Sequence, residues 1–214
     1  MVLVAAAPLS HSPAMFAARA IAVALFVPLT AAAATHDYRF DTVHTQVVAS
    51  ASHLGFSQPG GRMRVKSGWF RFDEDDWSTA QVDVTIDTAS IDFGDAAWND
   101  KLRSREFLDV AHYPSARFVS TRVEKTGEKS AVAHGKLTLL NMTRPLDLAI
   151  TLHRVGVHAY TLKWTAGFSA TATLKRSDFR MNKYLPDVGD EVSIRIEAEG
   201  LRDGDAKANA AEAQ

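Results

Sequence analysis

Eight histidines and 25 acidic residues carry most of the potential chemistry of this chain, and their spacing limits what they can do. His36, His44, His53, His112, His134, His153 and His158 are scattered, with no H-x-H pair and no H-E-x-x-H signature. That pattern favours surface or hydrogen-bonded histidines over metal ligands. The acidic run Asp73–Asp76 lacks the spaced ligands, the glycine and the closing glutamate of a calcium loop, and reads as a solvated turn. There is no G-x-S-x-G elbow, no P-loop and no G-x-G-x-x-G. The chain has no cysteine, which removes a thiolate nucleophile, Cys-ligated zinc and a disulfide framework. One charged constellation stands out. Lys101-Leu-Arg103-Ser-Arg105-Glu-Phe107 sets three cations beside Leu102 and Phe107; His112 follows, and Arg62, Arg64 and Lys66 form a second basic strip. A basic rim beside an apolar hollow suits an amphiphile with an anionic head and a buried tail. The alternative is a solvated loop that caps a barrel end, with Leu102 and Phe107 as its plug.

The elements that must position these groups read as strands. Val82, Val84 and Ile86 alternate with Asp83 and Thr85, and Leu146, Leu148, Ile150 and Leu152 repeat the pattern. So do Trp164 to Lys175 and Glu191 to Glu199. Period two places one face of each segment inward and one in water. Further strands are expected over Thr45–His53, Arg62–Val65, Gly68–Phe72, Arg117–Glu124 and Ala131–Leu140. Turns fall at Ser57–Gly61, Lys125–Lys129 and Asn141–Pro145, with Pro145 at a strand start because it cannot donate to a ladder. His153 and His158 flank a further turn. Ala96 to Val110 breaks the alternation and predicts a short helix with an irregular continuation. The chain is thus all-β with one helical interruption. A filled sandwich and a hollow barrel of about eight strands both fit; Val47, Ala49 and Ala51 are small for an inward face and leave volume, unless large neighbours fill it.

The first 34 residues differ in kind. They hold 26 hydrophobic residues and one formal charge, Arg19, ahead of an apolar run that ends in Thr30 and four alanines. That is the pattern of a secretory signal peptide cleaved after Ala34, with Met15 an alternative start. The run is short for a bilayer span, which takes about 20 apolar residues. The remainder, net charge near neutral, predicts an exported soluble domain with no bulk electrostatic hold on nucleic acid. From Arg202 to Gln214 the sequence predicts a flexible tail.

Leu102-Arg-Ser-Arg-Glu-Phe-Leu-Asp109 followed by His112-Tyr-Pro-Ser-Ala-Arg-Phe118 resembles the YceI-like family of polyisoprenoid-binding periplasmic proteins. Supporting matches are Asp41-Thr-Val-His44 as an opening strand, His53-Leu-Gly55-Phe, Gly135-Lys-Leu-Thr-Leu139 to Thr143-Arg-Pro145, Lys175-Arg-Ser-Asp-Phe179 and Val188-Gly-Asp190. They run from about residue 37 to 201. The sequence departs from the pattern at Lys101, where a histidine is common, at Arg180, where a small residue is common, and at Ala49 and Ala51, where bulkier residues are common.

The resemblance implies an extended, lipocalin-like antiparallel β-barrel over residues 35–201, exported to the periplasm. It implies a non-enzymatic carrier of a polyisoprenoid or isoprenoid-quinone-type amphiphile, with no cofactor beyond such a lipid or quinone. A homodimer and a membrane cytochrome b561-type partner are further implications; the alternative readings are an interaction module for such a cytochrome and an enzyme acting on a lipid. The expected tail lining is Val47, Ala49, Ala51, Phe118, Trp164, Phe168 and Phe179. Arg103, Arg105 and His112 are the expected head-group contacts, with His53 and Phe107 beside them.

Overall fold

The computed structural model describes residues 1–3 and 35–213. Apart from its first three residues, the expected leader lies outside the described residues. Nine strands follow one another: β1 (His36–Phe40), β2 (Gln46–His53), β3 (Gly60–Phe72), β4 (Gln81–Asp92), β5 (Ser115–Lys125), β6 (Ser130–Leu139), β7 (Met142–Val157), β8 (Trp164–Lys175) and β9 (Val188–Arg202). Helix α1 (Ala96–Arg103) interrupts them between β4 and β5, and α2 (Ala206–Glu212) follows β9. Each strand from β2 onward pairs antiparallel with its successor, and β9 returns to both β1 and β2. β1 meets the end of β3 and the end of β9; β2 meets their other halves. They are two lengths of one barrel strand, so nine strands close an eight-stranded antiparallel barrel. Closure gives every strand a neighbour on both sides, though not over its whole length.

The break between β1 and β2 corrects the sequence expectation for Asp41–His44. It is a turn, and the opening strand precedes it. The Asp41 carboxylate accepts the backbone N–H of Val43 and His44, and its second oxygen lies 2.9 Å from His44 Nδ1. The expected pair Arg62–Val65 and Gly68–Phe72 is one strand with an irregular register between Val65 and Ser67. Gly68, at φ 151°, is needed there, since a Cβ would come 2.7 Å from the Asp83 carbonyl oxygen. Pro145 lies inside β7 rather than at its start. It pairs with Lys136 of β6, and β7 meets β8 only from Ala149 onward, so its missing N–H faces an unpaired side.

The residues after Arg202 also differ from expectation. Asp205 begins α2, which buries Ala206 and Ala210 against Trp69 on the outer face of β3. Lys207 and Arg71 stand over that indole, 4.9 and 5.7 Å from its centroid. Two small alanines at i and i+4 give a helix face close enough to cover a tryptophan. The alanine-rich composition that read as a flexible tail is the contact surface of this helix.

Inside the barrel the aromatic residues gather toward one end. Tyr38 stacks on Phe70 at 4.9 Å, Phe168 meets Phe70 and Phe72 edge-on at 5.6 and 5.1 Å, and Phe72 meets Trp77 at 5.0 Å. Gly200 makes room for them: a Cβ there would lie 2.2 Å from the Phe70 ring. The other end carries α1, the loop to β5 and the turn after β8. A second cluster of Ile91, Leu108, Leu139, Phe179 and Met181 closes it.

Candidate functional site

Between the two clusters lies an apolar cavity of about 200 Å³. Its walls run from Phe72 and Trp77 at one end to Leu108, Leu139 and Leu174 at the other. Inward positions of β2, β8 and β9 show why it is hollow. Val47 faces Ile196 across one strand pair, and Ala170 faces Ile196 across the next. Val47 and Ala170 are buried, yet Ile194 and Ile196 keep part of their surface uncovered, and both line the void. Val84, Ile86, Leu146 and Ile150 are in the same position on other strands.

Few polar groups reach this surface. Thr45 gives its hydroxyl to the Glu199 carbonyl at 3.2 Å, and Thr88 to the Tyr113 carbonyl at 2.9 Å. Arg71 is the one charged residue of the wall, and its guanidinium turns outward to the Asp37 carboxylate at 2.7 and 3.0 Å. A charged head group has no counter-ion inside, where ionised groups are strongly disfavoured. The cavity can therefore accept hydrocarbon, and a polar head must stay at an end.

Of the expected lining, the cavity brings together Val47, Phe118 and Phe168. Ala49 and Ala51 sit nearer the α1 end, outside it. Ala49 pairs with Gly61, and the Phe93 ring occupies the space of a Gly61 side chain, so a distant residue takes the volume that the small residues leave. Phe179 is 2% exposed within the cluster that closes the α1 end. Trp164 has the inward parity of β8 but lies past the rim, 46% exposed.

The basic constellation has a different role from the expected one. Arg103, at the end of α1, donates to the Ala89 and Ile91 carbonyls, both at 2.8 Å, and so ties the helix to β4. Ser104 donates back to the Lys101 carbonyl at 2.7 Å and ends the helix. Asp95 caps its start by accepting the Trp98 N–H at 2.9 Å. Lys101 pairs with Glu106 and stands 5.3 Å from the Tyr184 ring centroid. Leu102 and Leu108 pack into the cluster that closes the barrel, whereas Phe107 is buried outside it, against the Tyr184 ring with centroids 6.1 Å apart. Arg105 and His112 are exposed; His112 Nδ1 lies 2.8 Å from Asp109. None of Arg103, Arg105 and His112 lines the cavity. His53, Trp98, Lys101, Phe107 and Tyr184 instead border a second recess of about 330 Å³ at the α1 end, with the His53 and Trp98 rings 5.9 Å apart.

The residue that organises this end is Arg176, which sequence reasoning placed only within a motif. It is 3% exposed. Its guanidinium donates to the Gly189 carbonyl at 2.9 Å, to Val188 at 2.7 Å and to Met181, and lies 5.9 Å from the Phe107 ring centroid. Burial lowers its pKa, and Asp190 opposes that shift. Arg180 follows at φ 63°, in the left-handed conformation that glycine adopts most easily. Asp190 in turn accepts both the N–H and the hydroxyl of Ser177, at 2.9 and 2.8 Å. The Ser177 hydroxyl bond leads the effects that hold the Asp190 carboxyl below its ordinary value of 3.8. A depressed carboxylate contributes stability above its unfolded pKa and loses it as pH falls through the folded one. We expect acid melts to show this end loosening below pH ~4. Asp190→Asn should flatten that pH dependence in hydrogen exchange of the Arg176–Val188 amides, and an unchanged profile would contradict the assignment.

Among the described residues, Asp41, His44 and Glu199 are the group of three side chains with metal-capable atoms near one another. The Asp41 carboxylate is already engaged by two N–H groups and the His44 ring, and that bond raises the His44 pKa. The arrangement is the lock of the β1–β2 turn.

With the geometry described, comparison with known proteins is direct. The sequence matches the YceI-like domain over residues 38–200. A UPF0312 protein of Shewanella baltica (strain OS185) is 34% identical over 183 residues, covering 85% of this chain and 95% of that protein. Protein YceI of Salmonella arizonae is 36% identical over 182 residues, covering 85% and 94%. The crystal structure of Burkholderia cenocepacia BcnA superposes with a TM-score of 0.67 at 26% identity, covering 75% of this chain and 98% of that one. A polyisoprenoid-binding domain from Saccharophagus degradans shares the fold, with a TM-score of 0.57 at 12% identity, covering 78% and 98%. The match spans every barrel strand, and the chain belongs to the YceI-like family.

Proposed function

We propose that this protein binds the tail of a long apolar amphiphile, of the polyisoprenoid or isoprenoid-quinone class, inside its barrel. The observation that carries this is the cavity inside the barrel, whose wall is hydrocarbon and whose few polar groups are already satisfied. Tail burial supplies about 0.8 kcal/mol per CH₂, so a short length of chain is enough for tight binding. The polyisoprenoid binding named for the Saccharophagus degradans domain supports the choice of tail. At about 200 Å³ the void is smaller than the roughly 300–1,000 Å³ of typical ligand sites. A long tail must therefore move side chains aside or leave through an end of the barrel. In this reading the protein is a container rather than a catalyst, and the leader read in the sequence supports export to the periplasm.

Native mass spectrometry of protein purified gently from its own host, followed by lipid extraction, tests the proposal. The expected result is one isoprenoid or quinone species per barrel. Protein that is reproducibly empty, and that fails to retain added isoprenoids, would sink it.

A further inference from the structure

The β7–β8 hairpin extends past the barrel. β6 pairs with β7 only as far as Thr151, whereas β7 and β8 stay paired out to Val157 and Trp164. Leu152 still donates its N–H to the Lys129 carbonyl at 2.8 Å, and beyond it β8 is the one strand paired with β7 among the described residues. A register shift between Leu152 and Arg154 resets the faces, so that Val155 lies opposite Ala166 and Val157 opposite Trp164. Ala166 is fully buried inside the barrel. The apolar inward face thus continues past the rim as Val157 and Trp164, 44% and 46% exposed, where no opposite wall covers it. Beyond them Tyr160 is 93% and Leu162 77% exposed.

This tip is held in shape rather than left loose. His158 accepts the backbone N–H groups of Tyr160 and Thr161 through Nδ1, at 3.3 and 3.2 Å. Its own N–H donates to the Lys163 carbonyl at 2.9 Å, and its carbonyl accepts the Leu162 N–H at 2.9 Å. Leu162 is kept at φ 56°, an unfavourable conformation for a branched apolar residue.

Charge indicates what covers the tip. The chain as a whole is nearly balanced, with 24 Lys and Arg against 25 Asp and Glu, yet Leu148 to Ser177 contains no acidic residue. Lys163 is in the tip, the Arg154 guanidinium lies over Gly156, and Arg202 stands 6.0 Å from the Trp164 ring centroid. Asp203, just after β9, is bridged by Arg39 at 3.5 Å, and the acidic turn that begins at Asp73 follows Phe72, the β3 partner of His36 on the same rim. Exposed Trp, Tyr and Leu ringed by cations match a bilayer interface, where amphipathic rings sit at head-group depth and anionic lipids attract Lys and Arg. We propose that the β7–β8 hairpin docks the protein on an anionic lipid surface. Tyr160, Leu162 and Trp164 enter the head-group layer while Lys163, Arg154 and Arg202 meet the phosphates. The docked lip is continuous with the inward face of the barrel. The proposal does not depend on which lipid the cavity holds.

Co-sedimentation of the full protein with vesicles of equimolar phosphatidylglycerol and phosphatidylcholine, against pure phosphatidylcholine vesicles, tests it. Binding is expected to the anionic vesicles, to weaken as salt is raised, and to fall at least about tenfold in Tyr160→Ser/Leu162→Ser and in Lys163→Glu. These positions are exposed, so the melting temperature and the retention of a cavity lipid should match the parent protein, which separates this outcome from failure of the proposed function. Absence of binding to anionic vesicles overturns the proposal, as does binding that the variants leave intact. Sedimentation showing that the parent self-associates through this tip and ignores vesicles also overturns it, in favour of an interface between copies.

Discussion

Ala170→Trp should leave the barrel folded and remove its capacity for a lipid tail. Ala170 is 8% exposed, pairs with Ile150 on one side and Ile196 on the other, and lines the middle of the cavity. An indole placed there occupies much of a 200 Å³ void. Filling space that is partly empty costs less than forcing atoms into a packed core, so the destabilisation should stay within about 1–3 kcal/mol. That is tolerable for a domain with the usual ~5–15 kcal/mol of stability. Displacing about four methylenes of tail forfeits ~3 kcal/mol, which weakens binding about a hundredfold. Thr171→Trp is the matched control. Thr171 is the next residue on β8 and is exposed, so its side chain points away from the cavity and retention should persist. The measurement is the amount of isoprenoid or quinone retained per protein after gel filtration, with circular dichroism melts of both variants. Equal retention in Ala170→Trp and Thr171→Trp would show that the tail does not lie in this cavity.

Arg176→Met should loosen the α1 end of the barrel. Methionine has similar length and can fill the space, but it cannot donate to the three carbonyls of Gly189, Val188 and Met181. Buried acceptors left unpaired cost about 1–3 kcal/mol each, and partial access of water to the loop offsets some of that, leaving about 3 kcal/mol. A domain of this size shifts its melting point by roughly 2–4 °C per kcal/mol, so a drop of about 10 °C is expected. Arg176→Lys should fall between the two, because an ammonium lacks the planar fork that serves carbonyls from three directions. Limited proteolysis should map the new cleavage to residues 180–187, since that loop is held through Met181 and Val188. A melting point within about 2 °C of the parent would mean that the carbonyls find other donors.

Much of the fold was legible because a strand with one covered face must alternate. Val82 to Ile86, Leu146 to Leu152 and Glu191 to Glu199 carry that alternation, and each lies in a barrel strand. The helix after β4 was legible for the converse reason, as its apolar residues lose period two. β1 was not read, since five residues with Tyr38 and Phe40 among charged neighbours give too short a pattern. The α2 packing was not legible either. A run of alanines identifies no partner, and Trp69 lies more than a hundred residues earlier.

The candidate site was read less completely. Phe118 and Phe168 are conspicuous in the sequence as large aromatics on inward faces, and both border the cavity. Ile194 and Ile196 were read as core strand residues and not as cavity wall. Their identity is the same in both cases, and only the absence of an opposing side chain makes the difference. Arg103 read as a head-group contact because a charged residue in a loop appears available. In the fold it is engaged by the last carbonyls of β4, which α1 brings within reach.

The sequence by itself determined the strand faces, the cysteine-free single core and the family motifs. These depend on local alternation, composition and short spacings, which survive without any tertiary contact. Tertiary structure alone decided where the interior is hollow, which arginines are committed to carbonyls, and that Trp164 lies past the rim. Each of those depends on what stands across the barrel or beside the loop, as Val47 stands against Ile196 from the far end of the chain. Closure sets those pairings, and no local pattern encodes them.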